Sequence, residues 1–477
     1  MPIQTTLGKK TLYGHQQVAV EWMMERELDP LNPGGLLCDE MGLGKTLSIL
    51  GLLRNKTVPK TLVLCPLSLV QQLRKAAREA EFGVWTLSDT SSSKGEKRWE
   101  SWALRKDAPQ VYVTNYDKVV ARTKFFKQTP FDRIICDEAH VLRNKNTVKA
   151  KTIGKIRAQY RWFLTGTPVV NAIDDLISIM TLLHVTHRPS MADKGKPKEW
   201  MERCALGRTQ EQLQEALGDV LPGDPTIEIH SLPFISDAEA VFYRGVQGCL
   251  VEQLQALMER ERMDMAMFLT LILRLRQISV HPQVYIGAKK RADPTYRRPN
   301  WRVDSTKVAK MVEILEGETA SHGYVIFCNF RDEMEILKER FQDMECVSKV
   351  FTYGGDTSGA ARQKMLEDLE AEVEAHETAE EPKQTILLAQ LQCGGTGLNL
   401  QFMDRIIFST PWWTAATMDQ AAARVVRIGQ RNPVVIHHVT LQEELEKSLN
   451  IDKYMNERIE EKRNLCHEML EAASHVA

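Results

Sequence analysis

Asp39-Glu-Met-Gly-Leu-Gly-Lys-Thr46 brings together residue types that can hold a nucleotide's phosphates. The apolar run Gly35–Cys38 before it reads as a strand, and Leu47–Leu53 after it reads as a helix. A glycine-containing turn between strand and helix lets backbone N–H groups converge on an anion at the positive end of the helix dipole. Met41, Gly42, Leu43 and Gly44 would form that cradle. Lys45 would reach the β- and γ-phosphates, and the Thr46 hydroxyl would ligate Mg²⁺. Asp39 stands where the strict phosphate-loop pattern has Gly.

A second constellation falls where such a loop needs one. Phe131–His140 reads as a short β-branched strand ending in two adjacent carboxylates, Asp137 and Glu138. An acid at the end of a strand near a phosphate loop holds the metal, which suits Asp137. Glu138 suits orienting and deprotonating an attacking water.

These groups need a scaffold that presents strand ends side by side. Up to about residue 180 the chain alternates strand-like apolar runs with helical stretches, the pattern of a parallel sheet covered by helices. The clearest strands are Thr61–Pro66, Val111–Asn115, Ile134–Cys136 and Trp162–Thr165. Residues 185–300 read as long helices, broken at Leu221-Pro-Gly-Asp-Pro225, and the Met and Leu stripe from Met258 to Leu275 reads as core packing. Gly323–Cys328 and Gln384–Ala389 restore the strand-then-helix rhythm, so a second α/β lobe is expected. The expected division is 1–235 for a first lobe with a helical insertion near 185–222, 236–300 for a helical protrusion and linker, and 301–477 for a second lobe with C-terminal helices.

Composition narrows the class. The 477 residues, 43% hydrophobic and 26% charged, are ordinary for globular domains. No run reaches the length of a membrane span, and the N-terminus lacks a signal peptide's pattern. The nine cysteines are scattered without zinc spacing, which favours reduced, mostly buried thiols in a cytosolic or nuclear setting, and the expected location is nuclear, or cytoplasmic for a viral or prokaryotic source. The formal net charge of −1 means that any nucleic-acid affinity must come from local arrangement.

The ordered segments resemble the Swi/Snf family of superfamily-two helicase-like ATPases. Leu12–Gln16 looks like the family's adenine-side glutamine motif, and Asp39–Thr46 matches motif I, including its Asp. Leu62–Ser68, Thr114–Tyr116, Asp137–His140 and Leu164–Pro168 match motifs Ia, Ib, II and III. Val325–Phe330, Gln392–Leu400 and Gln420–Gln430 resemble motifs IV, V and VI, and Leu273–Pro282 looks like the family's Leu-Arg-Gln…His-Pro segment. Ala423 and Val426 depart from the usual Asp and His around the motif VI arginines, and Thr414 replaces the usual Asn after a tryptophan.

The resemblance implies two RecA-like lobes, with ATP bound on the first through Gln16 and the phosphate loop and completed by the second through Gly397, Arg424, Arg427 and Gln430. The arginines, at i and i+3, would lie on one helix face and reach together as fingers toward the γ-phosphate. It also implies a backbone-gripping DNA groove, for which Ser68, Thr114, Asn115, Asn329, Thr396, Asn399 and Trp413 are the candidates. Arg143–Arg161 carries seven Lys/Arg and no Asp or Glu, which fits either a phosphate-tracking face or a solvated helix.

The leading functional expectation is a monomeric, ATP- and Mg²⁺-dependent translocase on double-stranded DNA that displaces bound proteins such as nucleosomes without separating strands. Alternatives are a polymerase-releasing, transcription-terminating or repair ATPase of the same family, a conventional strand-separating helicase, and a DNA-binding scaffold without turnover. The tryptophan segment before motif VI and the His-Pro insert favour the translocase.

Overall fold

The computed structural model describes residues 3–87, 111–170, 172–183, 196–258, 265–355, 359–377, 379–394, 398–442, 451–457, 460–461 and 464. A small antiparallel ribbon, β1 (Thr6–Leu7) against β2 (Lys10–Thr11), precedes the first helix, Gly14–Arg26. Seven strands then form one sheet: β3 (Gly34–Leu37), β4 (Thr61–Cys65), β5 (Val84–Leu87), β6 (Val111–Asn115), β7 (Arg133–Cys136), β8 (Tyr160–Leu164) and β9 (Ala205–Leu206). Their order is β5-β6-β4-β7-β8-β3-β9, and every pairing is parallel.

Parallel strands need crossover connections, and the crossovers cover both faces, so the central strands must be apolar throughout. Period-two alternation sorts their side chains. Leu62, Leu64, Ile134 and Phe163 pack on one face, while Val63, Cys65, Ile135 and Trp162 pack on the other. One buried charge network ties the first helix beneath the sheet. Arg133 donates to both Glu27 carboxylate oxygens at 2.6 and 2.7 Å, and Trp162 Nε1 donates to Glu27 Oε1 at 2.9 Å.

The second sheet contains β10 (Thr226–Leu232), β11 (Gly323–Cys328), β12 (Val347–Tyr353), β13 (Gln384–Gln390), β14 (Arg405–Phe408) and β15 (Val435–Leu441). Its order is β10-β15-β14-β11-β13-β12, again all parallel. The molecule is thus α/β with two lobes, each a parallel sheet covered by helices.

Two boundaries differ from expectation. Thr226–Leu232 falls inside the expected first lobe, yet it pairs with β15 in the second sheet, so the chain changes lobes before residue 226 and not at 235. Its pattern conceals this, because β10 is an edge strand that leaves Ile227 and Ile229 exposed. The 185–222 insertion is not purely helical either. Beside the helices Lys196–Cys204 and Gln210–Leu217 it supplies β9, which extends the first sheet next to β3.

The helices Asp237–Met258, Met265–Val280 and Pro282–Ala292 pack on the second lobe, where Phe242, Leu275 and Ile286 join Leu441 and Ile451. The His-Pro pair starts the last of them. His281 Nδ1 accepts from the Gln283 N–H at 3.0 Å, and Pro282 occupies the first helical position, whose missing N–H leaves no bond unmade. Among the described residues no helix is long and apolar enough to cross a membrane.

Candidate active site

The phosphate-binding segment links the C-terminal end of β3 to the helix Lys45–Asn55. Gly42 and Gly44 sit at φ +90° and +77°, where an L side chain is strained. A Cβ on Gly44 would fall 2.5 Å from Gln16 Nε2, so the close approach of that amide also requires glycine. His15 Nε2 and Gln16 Nε2 both donate to the Leu43 carbonyl, at 2.9 and 3.1 Å, and fix the loop's shape. Because the helix begins at Lys45, its first N–H groups have no intrahelical acceptor.

Asp39 explains its own presence in the loop. It is fully buried and receives a forked pair of bonds from Arg208, Nε to Oδ1 at 2.9 Å and Nη2 to Oδ2 at 2.8 Å. Arg208 also donates to the His15 carbonyl at 2.7 Å. The carboxylate is therefore an anchor that ties the 205–217 segment to the loop, and Asp39 contributes only its carbonyl to the cradle. That carbonyl accepts from Lys45 Nζ at 2.7 Å.

The acidic pair follows β7. Its backbone is fixed by Asp137 N–H donating to Leu64 O and by Tyr116 Oη donating to Asp137 O, both at 2.7 Å. Glu138 has φ +51°, one of two non-glycine residues with positive φ among the described residues. An L residue there carries about 1–2 kcal/mol of strain that the surroundings must hold in place. Burial and the neighbouring Glu138 charge push Asp137 up to about 6. Burial also disfavours the Glu138 charge, but the hydrogen bond and charge of His140, with Arg424 and Lys45, outweigh it and hold this carboxylate below its ordinary value.

The second lobe completes the cleft, although its two arginines do not share a helix face as expected, because the helix Ala415–Ala422 ends before them and both lie in the turns that follow. Met41, Gly42, Gly44, Lys45, Thr46, Asp137 and Glu138 line the cleft from one side and Ala423, Arg424 and Arg427 from the other. Arg424 Nη2 lies 3.7 Å from Glu138 Oε1, and Gln420 Nε2 lies 3.4 Å from His140 Nδ1. Arg427 Nη1 donates to Asn399 Oδ1 at 2.9 Å, and burial together with Arg424 lowers its guanidinium to about 10. Leu43 is buried against Leu213, Leu221 and Ile428, so apolar contact also joins the lobes beside the loop.

Several candidate residues stand elsewhere. Gln430 is not in the cleft. Its Nε2 donates to Met403 O at 2.8 Å and its Oε1 accepts from Arg431 N and Asn432 N, so it holds a turn of its own lobe instead of serving catalysis. Gln16 is fully buried, with Oε1 accepting from Tyr13 N and Nε2 on the loop, so its amide is committed to backbone. Thr114 is also wholly buried and donates to Leu87 O at 2.7 Å, while Asn115 caps a helix through Lys118 N. Neither side chain is available to a DNA phosphate.

Ser68 is half-exposed in the turn after β4. Both amide atoms of Asn329, at the end of β11, are buried without a hydrogen-bond partner among the described residues. Asn399 meets Arg427, and Trp413 packs against Arg276, whose guanidinium lies 5.2 Å from the ring centroid. Thr396 and Gly397 lie outside the described residues. Arg208, His140 and Gln420 are the contributors that sequence reasoning passed over. A buried loop Asp signals the need for a cation, but not which of 62 Lys and Arg supplies it.

The SNF2-related domain matches residues 15–222 and the helicase conserved C-terminal domain matches residues 306–429, so one family model falls on each lobe. The chain belongs to the Swi/Snf family of helicase-like ATPases. It is an ATP-using hydrolase of that family.

It is 25% identical to the "Probable global transactivator" of Orgyia pseudotsugata multicapsid polyhedrosis virus, over 98% of this chain and 92% of the viral protein. An "Uncharacterized ATP-dependent helicase" of Mycoplasma pneumoniae is 23% identical, over 92% of this chain but 40% of its own length. The "ISWI chromatin-remodeling complex ATPase ISW2" of Saccharomyces cerevisiae is 24% identical, over 92% and 39%. The chain thus spans well under two thirds of the length of these two cellular relatives. Among solved structures, the "Sulfolobus solfataricus SWI2/SNF2 ATPase core in complex with dsDNA" matches 100% of this chain and 96% of its own, with 22% identity and a TM-score of 0.41.

Proposed function

We propose that this chain is a motor that hydrolyses ATP with Mg²⁺ to move along double-stranded DNA and displace bound proteins, nucleosomes among them, without separating the strands. The observation that carries the reading is the meeting of Arg424 and Arg427 from one lobe with the phosphate loop and acidic pair of the other. In this reading Lys45 and the cradle hold the triphosphate. Glu138 orients and deprotonates the attacking water, and the two arginines stabilise charge on the transferred phosphoryl group. The Asp137 carboxylate and the Thr46 hydroxyl line the same cleft and make an oxygen-only donor set suited to a hard dication, so Thr46 and Asp137 would hold Mg²⁺. When bound, the ion supplies charge neutralisation on the phosphates.

Hydrolysis removes the group that both lobes grip, so lobe closure follows nucleotide state. The orphaned Asn329 amide supports a DNA-backbone contact on the second lobe. Support for displacement of DNA-bound proteins comes from a relative named as a chromatin-remodelling ATPase. The near full-length likeness to a viral protein named as a transactivator favours, as a second reading, a transcription-linked task for the same motor.

The test is ATPase rate with duplex DNA, nucleosomes, single strands and RNA, beside triplex-displacement and strand-displacement assays. Duplex-stimulated hydrolysis with triplex displacement and no strand displacement is expected. Strand displacement, or turnover indifferent to duplex, would overturn the translocase reading.

A further inference from the structure

Outside the cleft lining, at the edge of the second sheet, three metal-ligating side chains converge. Glu228 and His437 face each other across the β10–β15 pairing, and His230 lies two residues further along β10 on the same face. Glu228 Oε2 is 3.2 Å from His437 Nδ1 and 3.6 Å from His230 Nε2, and the two ring nitrogens are 3.1 Å apart. These three atoms form a near-equilateral triangle, and all lie within 4.8 Å of one another.

Hydrogen bonding accounts poorly for the triangle. If His437 Nδ1 accepts from His230 Nε2–H, it turns a lone pair toward the Glu228 carboxylate. If it donates to Glu228 instead, it has no lone pair for His230. One proton serves one edge of the triangle, whereas a cation at its centre serves all three atoms. Zinc–nitrogen and zinc–oxygen bonds of about 2.0–2.2 Å at tetrahedral angles place neighbouring ligand atoms about 3.4 Å apart. The observed edges of 3.1, 3.2 and 3.6 Å bracket that value.

We propose that Glu228, His230 and His437 form a binding site for a borderline divalent transition ion of the zinc type, with water completing the coordination. Two imidazoles select such an ion over Mg²⁺, which prefers oxygen donors, so the site is chemically distinct from the one at Asp137. Its place in the fold gives it a structural role. β10 is the strand by which the chain enters the second lobe, and it sits at the sheet edge with Ile227 and Ile229 exposed. A cation bound to both strands pins that edge to β15.

The test uses the full chain, freed of metal with a chelator and dialysed at pH 7.5 against Zn²⁺ or Co²⁺ in excess Mg²⁺. One tight equivalent per chain is expected. The Co²⁺ form should show the d–d absorption of a four-coordinate site without a thiolate charge-transfer band, which separates it from Cys249, the exposed cysteine among the described residues. Glu228→Gln and His230→Ala, both away from the deep core, should each weaken Zn²⁺ binding by about tenfold or more. Asp137→Asn and Cys249→Ser should leave it unchanged. Hydrogen exchange of Thr226–Leu232 should slow on Zn²⁺ addition in the native chain and not in Glu228→Gln. Absence of a stoichiometric equivalent, or binding undiminished in both ligand variants, overturns the site whatever the ATPase assays show.

Discussion

The Arg208 guanidinium grips the buried Asp39 carboxylate through two parallel bonds of 2.8 and 2.9 Å, across 169 residues of sequence. Removing one partner leaves the other charge buried and uncompensated, which costs about 3–5 kcal/mol. Arg208→Ala should therefore lose stability on that scale in urea unfolding and raise the KM for ATP, because the phosphate loop loses its brace. The double variant Asp39→Ala/Arg208→Leu should recover much of the stability. A single variant as stable as the native chain would show that the pair is not a brace.

Arg427 is the clearest finger candidate because it lines the cleft while its side chain is held by Asn399. Arg427→Ala should lower turnover by about 10³–10⁵-fold, the range for loss of such a group, while nucleotide binding stays nearly intact. Turnover together with binding of a fluorescent ATP analogue would check both halves. Near-normal hydrolysis would dismiss the assignment.

The basic stretch after the acidic pair separates into unequal parts. Arg161 is buried and donates to the Ile156 and Leu182 carbonyls, so it belongs to the interior. Lys149 Nζ lies 2.9 Å from Asp117 Oδ1, whereas Lys151 is exposed. If this face meets DNA phosphates, Lys151→Gln should reduce the salt slope of affinity by about 0.9, the value for one phosphate contact. Lys149→Gln should reduce it less, because Asp117 already offsets that charge. Titrations at several salt concentrations would read both slopes, and slopes equal to the native one would remove the face from the DNA path.

The ATP side of the site was legible because its parts are contiguous. A loop, a strand end and a helix carry Lys45, Thr46, Asp137 and Glu138, and period-two apolar runs announce the strands that aim them. Residues whose role depends on a partner far along the chain were not legible. Thr114 and Asn115 carry the right donor groups, yet strand β6 turns one into the core and the other into a helix cap. Gln430 sits in the right motif, but its turn consumes every polar atom it has. Arg208 carries no local signal, because its meaning comes only from the buried acid it meets. The lobe boundary failed for a related reason, since an edge strand that exposes alternate isoleucines looks like a loop next to the lobe before it.

His281 gives the second lobe a titratable cap. Its Nδ1 accepts from the Gln283 N–H at 3.0 Å, and burial, opposed by a hydrogen bond to the Val303 carbonyl, lowers its pKa to about 4. Between pH 6.5 and 4 the unfolded chain binds a proton at this residue that the folded chain does not. The contribution of His281 to stability is thus fully present above pH 6.5 and is lost as pH falls through that window, at up to about 1.4 kcal/mol per pH unit. His281→Asn keeps a side-chain acceptor at the cap and does not titrate. Urea unfolding from pH 7 to 4.5 should show the variant losing stability less steeply than the native chain, the two curves converging toward low pH. Parallel curves would mean that His281 takes up its proton as readily in the folded protein as in the unfolded chain.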